Sequence, residues 1–400
     1  MNETPGGESS GKPVILVFTG RYLPGYKAGG ILRNLVNTVD FLCDIFDFKI
    51  VTRDRDLGDE VQYSKIETDR WQMVGNAKVY YLSPKSEGLN SLNKLVMETP
   101  HSVIFLTSYF DPLTIKFLVN RRLSFSSSMP VIVAPFGEFA WASLGQKFLK
   151  KIVFIVVARL TRLYQGVVWR VSSAYEADDL VRVMNPKMSS IKITGDLPIK
   201  VVQLPSAAPV KLDGVAEPVA LRIIFLSRIS REKNLNVALS ILRSVKATVV
   251  FDIYGPTENM SYWNECQVLI SELPPNVKVK YCGNVLPGNV LEIFGNYDLF
   301  LFPTGGEAYG NVIAESLTAG TPVLLSTETP WRDLEADGLG WDIELNNLDA
   351  FVTVIESVAL QSQAQRLQVR TAVRARARHR LLNHDVLESN RRLFNITAND

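Results

Sequence analysis

The sequence predicts an α/β protein made of two doubly wound halves, each a parallel sheet covered by helices on both faces. Three observations carry that prediction. Short apolar runs recur at 14–18, 48–51, 103–106 and 131–134, then at 223–226, 248–251, 277–281, 299–302 and 322–325. Most are continuous rather than alternating, as strands buried on both faces are. Segments of helical spacing lie between them, for example at 31–42, 235–245, 264–273 and 312–320, and this alternation marks a parallel α/β sheet. Between 204 and 220 the text LPSAAPVKLDGVAEPVA carries Pro, Ala and Gly without periodicity, and a fresh apolar run opens at Leu221. That stretch reads as a linker.

The expected organisation follows in chain order. Residues 1–12, Gly/Ser-rich and polar, form a disordered tail without the basic start and apolar stretch of a signal peptide. A first domain spans 13–209 and a second 218–374, and a helix over about 375–400 could pack back on the first. Ligands of such sheets bind at the C-terminal strand ends, so two facing edges would make the site a central cleft.

Composition narrows the class. Of 400 residues, 46% are apolar and 21% charged, enough for two cores, which excludes a disordered or collagen-like chain. Lys and Arg number 43 against 41 Asp and Glu, too even a balance to point to nucleic acid. Cys43, Cys266 and Cys282 are far apart and odd in number, and His101, His379 and His384 are the only histidines. Neither a disulfide framework nor a metal site is expected, which suits a cytoplasmic setting. The longest apolar stretch of note, 152–158, is far below the roughly 20 residues of a membrane span.

The richest segment is 299–326. A buried run ends at Phe302, a Gly-rich loop Thr304-Gly305-Gly306-Glu307-Ala308-Tyr309-Gly310 follows, and Asn311 opens an amphipathic helix that stops at Gly320. Such a turn aims backbone N–H groups and the positive helix end at one spot, an anion site most often used for phosphate. Glu315 lies in apolar text on the core-facing side of that helix, where a carboxylate is costly unless partnered. Two vicinal ribose hydroxyls would satisfy it, and Glu307 would reach another part of the same ligand. Alternatively Glu315 complements the helix dipole and Glu307 is an exposed loop charge. The segment Phe225-LSRISREKNL-235 favours the ligand reading. It sets Arg228 and Lys233 after a strand, where two cations can flank a diphosphate and stabilise it as a leaving group.

Together these segments resemble the C-terminal domain of family 4 glycosyltransferases, of GT-B fold. Glu307 and Glu315 match the family's Glu-x7-Glu element, and Arg228 and Lys233 in SRISREKN match its Arg/Lys pair. Tyr262-Trp263, Cys282-Gly283-Asn284-Val285 in the place of the nucleobase loop, and Ser326-TETPW-331 extend the likeness, the last toward bacterial surface-polysaccharide members. In the first half, Gly29-Gly30 before Arg33 and Asn34 is similar to the donor-facing glycine loop. Ala134-PFGEF-139, Lys150-Lys151 and Ser172-SAYE-176 are similar to the same subgroup.

The resemblance implies a retaining, metal-independent hexosyltransferase without cofactor, acting on a UDP- or GDP-sugar. Glu315 would hold the donor's ribose and Val285 would lie by its base. Ala308, Tyr309, Gly310 and Asn311 would hold the diphosphate with Arg228 and Lys233, and Glu307 would contact the transferred sugar. Gly29 and Gly30 would let backbone approach closely. Attack would come on the face the diphosphate leaves, and the leaving phosphate would take the acceptor's proton. Glu307→Ala is expected to abolish transfer and leave folding intact. The sequence departs from the subgroup where Phe136 replaces the Arg or His after the proline, and where Pro205-Ser206-Ala207 replaces Pro-Asn-Gly. Glu138 and Asp111 are the candidate substitutes for the lost polar contact. These departures keep open a non-catalytic sugar-nucleotide binding protein, or a GT-B-type epimerase or hydrolase.

Other signals are weaker. Asp54-Arg55-Asp56 has a metal–nucleotide spacing but sits in a charged loop, and His101 reads as a surface residue. No Gly-x-Gly-x-x-Gly follows the first strand and no Gly-x4-Gly-Lys-Ser/Thr exists, which disfavours a dehydrogenase and a P-loop enzyme. Residues 141–170 hold Lys147, Lys150, Lys151, Arg159, Arg162 and Arg170, no acid, and much apolar text. They form either a partly buried helix with a basic rim or a surface for an anionic bilayer. The latter suits a saccharide acceptor that is lipid-linked, in cell-surface polysaccharide synthesis at the inner face of the plasma membrane. The tail 361–394 carries eight arginines against Asp385 and Glu388, and is either a solvated helix face or a second anionic contact.

Overall fold

The computed structural model describes residues 11–123, 129–145, 148–200, 220–381 and 384–396. Nearly all of the expected tail and linker, Pro205-Ser206-Ala207 and Lys147 lie outside them. The chain divides into two compact units, one formed by residues up to Lys200 with those from His384 onward, the other by the residues between.

The first unit opens with β1 (Val14–Phe18), α1 (Gly30–Leu42) and β2 (Asp47–Arg53), followed by a hairpin of β3 (Trp71–Val74) and β4 (Ala77–Leu82). Then come α2 (Leu89–Glu98), β5 (Val103–Leu106), α3 (Pro112–Leu123), β6 (Val131–Val133), α4 (Trp141–Gly145) and α5 (Phe148–Leu160). β7 (Val168–Val171), α6 (Ala174–Met184) and β8 (Ile191–Ile193) complete the run. The sheet order is β3-β4-β2-β1-β5-β6-β7-β8, parallel apart from the hairpin pair. Its inner strands are buried on both faces, which is why their sequences read as unbroken apolar runs.

The second unit contains β9 (Leu221–Leu226), α7 (Leu235–Arg243), β10 (Val249–Tyr254), α8 (Met260–Ser271), β11 (Val277–Gly283) and α9 (Val290–Phe294). It continues with β12 (Leu299–Phe302), α10 (Asn311–Ala319), β13 (Val323–Ser326), β14 (Gly340–Ile343), α11 (Leu348–Ala359) and α12 (Gln363–Leu381). The order β11-β10-β9-β12-β13-β14 is parallel throughout, the doubly wound arrangement whose strand order reverses between β9 and β12.

The arginine-rich tail has a structural use. In α12, Arg366 donates to Ala359 O at 3.0 Å, Arg370 to Gly295 O, and Arg374 to Ala319 O at 2.8 Å. These are the C-terminal carbonyls of α11, α9 and α10, the negative ends of three helices, where cations are favourable. Arg376 reaches Gly338 O, Arg380 pairs with Asp337, and Arg391 and Arg392 pair with Glu388. Seven of the eight arginines expected on a solvated or anion-binding face therefore bond within the fold. The whole of α12 lies in the second unit, so the crossing back falls later than the expected 375. It is α13 (His384–Phe394) that joins the first unit. Phe394 there meets the rings of Phe46, Phe48 and Phe105 edge-on, and Asn390 donates to Gly195 O at 2.9 Å. Among the described residues no helix is long and apolar enough to cross a membrane.

Candidate functional site

In the second unit, parallel pairing of β9 with β12 sets Leu299 against Ile223 and Phe300 against Ile224, so the loops after both strands leave the sheet side by side. This is the point where ligands of doubly wound sheets bind. The loop after β9 is drawn tight against β10: Ser227 N–H donates to Tyr254 O at 3.1 Å and Ile229 N–H to Pro256 O at 2.8 Å. Gly255 makes this possible. Its φ is +129°, and a Cβ there would stand 1.8 Å from Ser227 O.

Arg228 emerges from that loop. One guanidinium nitrogen donates to both Glu258 carboxylate oxygens at 3.0 Å, and the other to Glu232 Oε1 at 2.8 Å. Burial alone would lower the guanidinium's pKa, but Glu258 and then Glu232 outweigh it and hold it above its ordinary value. A short 3₁₀ turn, Arg231–Lys233, follows and brings Lys233 inward to 8% exposure. A buried ammonium needs a partner. Lys233 Nζ donates to Glu307 Oε1 at 2.8 Å and approaches Gly306 O at 3.4 Å.

The Gly-rich loop after β12 is tied to the same turn through the Glu232 carbonyl, which accepts from Gly305 N–H at 2.7 Å and Thr304 Oγ–H at 3.1 Å. From the other side, Ser326 Oγ–H donates to Thr304 O at 2.5 Å and Glu307 N–H to Glu328 O at 3.1 Å. Trp331 Nε1–H holds Tyr309 O at 2.5 Å, with the two rings 5.6 Å apart. Gly310 then starts α10, so the positive end of that helix opens beside Glu307, with Asn311 as its first residue. Glu315 lies on α10 at 7% exposure.

Arg228 and Lys233 thus share one edge with Glu307, more than seventy residues on, and with Ala308, Tyr309, Gly310, Asn311 and Glu315. Val285 sits apart, beyond β11 and two strands away, half-buried against the core. Two carboxylates escaped the sequence reading. Glu232 and Glu258 each grip Arg228, and the available signal was an acid just after a strand end whose neighbour carries cations.

The first unit has its own strand-order reversal, between β1 and β5. Gly29 has φ +65° at the start of α1, and a Cβ there would meet nothing within 4 Å, so glycine is needed for backbone conformation alone. Gly30 is the first exposed residue of the helix. Asp111 accepts from Arg53 at 3.1 Å and caps α3 by accepting Leu113 N–H at 2.8 Å. Glu138 accepts from Ser108 Oγ–H at 2.6 Å and Tyr109 N–H at 2.5 Å, and burial pushes its carboxyl up to about 7 despite those bonds. Both carboxylates are engaged by their own unit.

Phe136 also has an internal task. With φ +48° it lays its ring over the Arg170 guanidinium, centroid 5.2 Å away, above the buried Arg170–Asp196 pair. Asp54 pairs with Arg55, and Asp56 accepts the Tyr26, Lys27 and Leu57 N–H groups. Among the described residues no group of three potential ligands could hold a metal ion.

Residues 219–379 match the family described as glycosyl transferases group 1. A comparison with curated proteins finds no match. Among solved structures, a sucrose-phosphate synthase from Thermosynechococcus elongatus is similar with a TM-score of 0.69 and 13% identity, over 96% of this chain and 98% of that one. The Anabaena protein HepE, in complex with UDP and glucose, has a TM-score of 0.67 and 14% identity, over 95% and 98%. WaaG, a glycosyltransferase involved in lipopolysaccharide biosynthesis, has a TM-score of 0.61 and 15% identity, over 96% and 99%.

Proposed function

Since residues 219–379 match the family described as glycosyl transferases group 1 and the fold is that of GT-B proteins, we propose that the protein is a retaining, metal-independent glycosyltransferase. It moves a sugar from a nucleoside diphosphate donor to a saccharide acceptor, lipid-linked, in surface polysaccharide synthesis at the cytoplasmic face of the membrane. The observation that carries the proposal is the Arg228–Lys233–Glu307 cluster beside the N-terminus of α10. Two cations and a helix end stand together there on one strand-end edge, the kind of charge needed to hold a diphosphate and stabilise it as it departs. Glu315, five residues into α10, suits the donor's ribose, and Glu307 suits the sugar next to the diphosphate. The departing phosphate takes the acceptor's proton, so no protein nucleophile is assigned.

UDP is the first nucleotide to try, because HepE, similar in fold, is seen with UDP and glucose. Thermal unfolding with UDP, GDP, ADP and NAD tests the donor site: a ligand at 100 times its Kd adds about 2.7 kcal/mol. A rise with UDP or GDP alone is expected; a rise with NAD, or none, would overturn the reading. Turnover should then survive a chelator.

One observation favours a second reading, a sugar-nucleotide binding protein without turnover: Phe136 stacks on Arg170 where a polar donor contact would be needed. Nucleotide binding without transfer to any supplied acceptor would establish it. Product formed with no acceptor would favour an epimerase or hydrolase.

A further inference from the structure

Helix α5 carries a surface the donor chemistry does not use. It buries Ile155 and Ala158 and packs Ile152 and Phe154 on the first unit's core. The opposite side is a stripe of Leu149, Val153, Val156, Val157 and Leu160, spaced so that all stand on one helix face. Leu149 is 78% exposed, Val153 62% and Leu160 79%. Phe148 and, on α4, Trp141 extend the apolar surface. Contiguous exposed apolar side chains of this kind mark an interaction surface.

The charges around the stripe select its partner. Lys150, Arg159 and Arg162 are exposed along its flanks, and the chain from 141 to 170 contains no acid. Arg121 and Arg122 add cations at the far end, donating to the carbonyls of Gly166 and Arg162. A second copy of the chain docked stripe to stripe would bring these cations together without a carboxylate on the helix to offset them. An anionic bilayer offers the complement: hydrocarbon for the stripe and phosphate headgroups for the cations, whose long stems reach outward. With 13 residues α5 is far short of the roughly 20 needed to span.

We propose that α5 is a membrane-docking helix that lies in the plane of an anionic lipid surface, inserting Leu149, Val153, Val156, Val157 and Leu160 between headgroups. Its first turn adjoins the loop after β5: Lys151 Nζ stands 5.2 Å from the centroid of Phe110, the neighbour of Asp111. That contact is made from the core-facing side of α5, so docking holds the strand-end loop behind the helix, about 10 Å from the bilayer surface, within reach of a saccharide carried on a lipid. The use made of docking rests on the glycosyltransferase reading; the docking itself does not.

The test is sedimentation of the full chain with vesicles of phosphatidylcholine alone or with phosphatidylglycerol added. Binding at least tenfold stronger to the anionic vesicles, and weakened by salt, is expected. The triple variant Leu149→Ser, Val153→Ser, Leu160→Ser should lose about tenfold or more, and Lys150→Gln and Arg159→Gln about fivefold each on anionic vesicles. Because these positions are exposed, the variants should unfold at the wild-type temperature and keep its response to nucleotide. Equal binding of wild type and triple variant would overturn the proposal. So would a dimer in lipid-free solution that the same substitutions abolish. Loss of the nucleotide response in wild type would overturn the donor reading and leave the docking result standing.

Discussion

At Lys233, burial and charge are in tension, and Glu307 resolves it. An ammonium 8% exposed and bonded at 2.8 Å to a carboxylate depends on that partner for its strongest contact. Against the expectation that Glu307→Ala leaves folding untouched, the alanine variant removes the shortest bond of a buried cation, leaving it Gly306 O at 3.4 Å and Glu232 at 3.9 Å, and should lose about 2 kcal/mol. Glu307→Gln keeps an acceptor oxygen and should lose about 1 kcal/mol or less, so it is the cleaner variant. Both should abolish transfer, read by product formation beside urea unfolding; full turnover in the glutamine variant would remove Glu307 from the reaction. Glu138 makes a pH prediction. Burial raises its carboxyl from 4.5 to about 7, so between those values the folded chain holds a proton that the unfolded chain has released. Its stabilising contribution is complete below 4.5 and is lost as pH rises through 7. Thermal midpoints of wild type at pH 5 and pH 8 should therefore differ more than those of Glu138→Gln.

At the scale of elements, the site depends on how closely strand ends approach. Gly255 lets the end of β10 touch the loop after β9, and a methyl group there would meet backbone, not a movable side chain. Gly255→Ala should cost about 3 kcal/mol or more and displace Arg228, weakening nucleotide affinity measured by calorimetry. Retained affinity and stability would show that the loop can relax. The strand–loop–helix at 299–320 was readable because a buried run, a glycine loop and an amphipathic helix each leave a local pattern. The distant partner of Arg228 was not, since Glu258 lies after the next strand and only parallel pairing of β9 with β10 brings it across. The same limit applies to α12, whose arginines looked like a charged face and instead bond the C-terminal ends of three other helices.

At the scale of the whole molecule, the chain's last helix belongs to its first unit. Phe394, 2% exposed among Phe46, Phe48 and Phe105, is as much part of that core as β1 is. Phe394→Ala should cost about 3–5 kcal/mol. Hydrogen exchange should locate the loss, lowering protection in β1, β2 and β5 while β9 to β12 keep theirs. Equal loss in both units would show that they unfold together. The crossing itself could not be placed from sequence, because 361–394 reads as one basic helical tail, and only burial separates the sheet that α12 and α13 each cover.

What the sequence by itself determined is what short-range physics encodes. Continuous apolar runs specify strands buried on both faces, glycines specify the loop at 304–310 and the helix stop at 320, and the order of strands and helices implies two doubly wound halves. It also brought Arg228, Lys233, Glu307 and Glu315 to attention, because charged residues at strand ends and in apolar text are costly without a purpose. Only the tertiary structure decided the pairings: Lys233 with Glu307, Arg228 with Glu258, Phe136 over Arg170, and α13 on the first sheet. Those depend on which strands lie adjacent, and adjacency joins residues tens of positions apart that no local pattern connects.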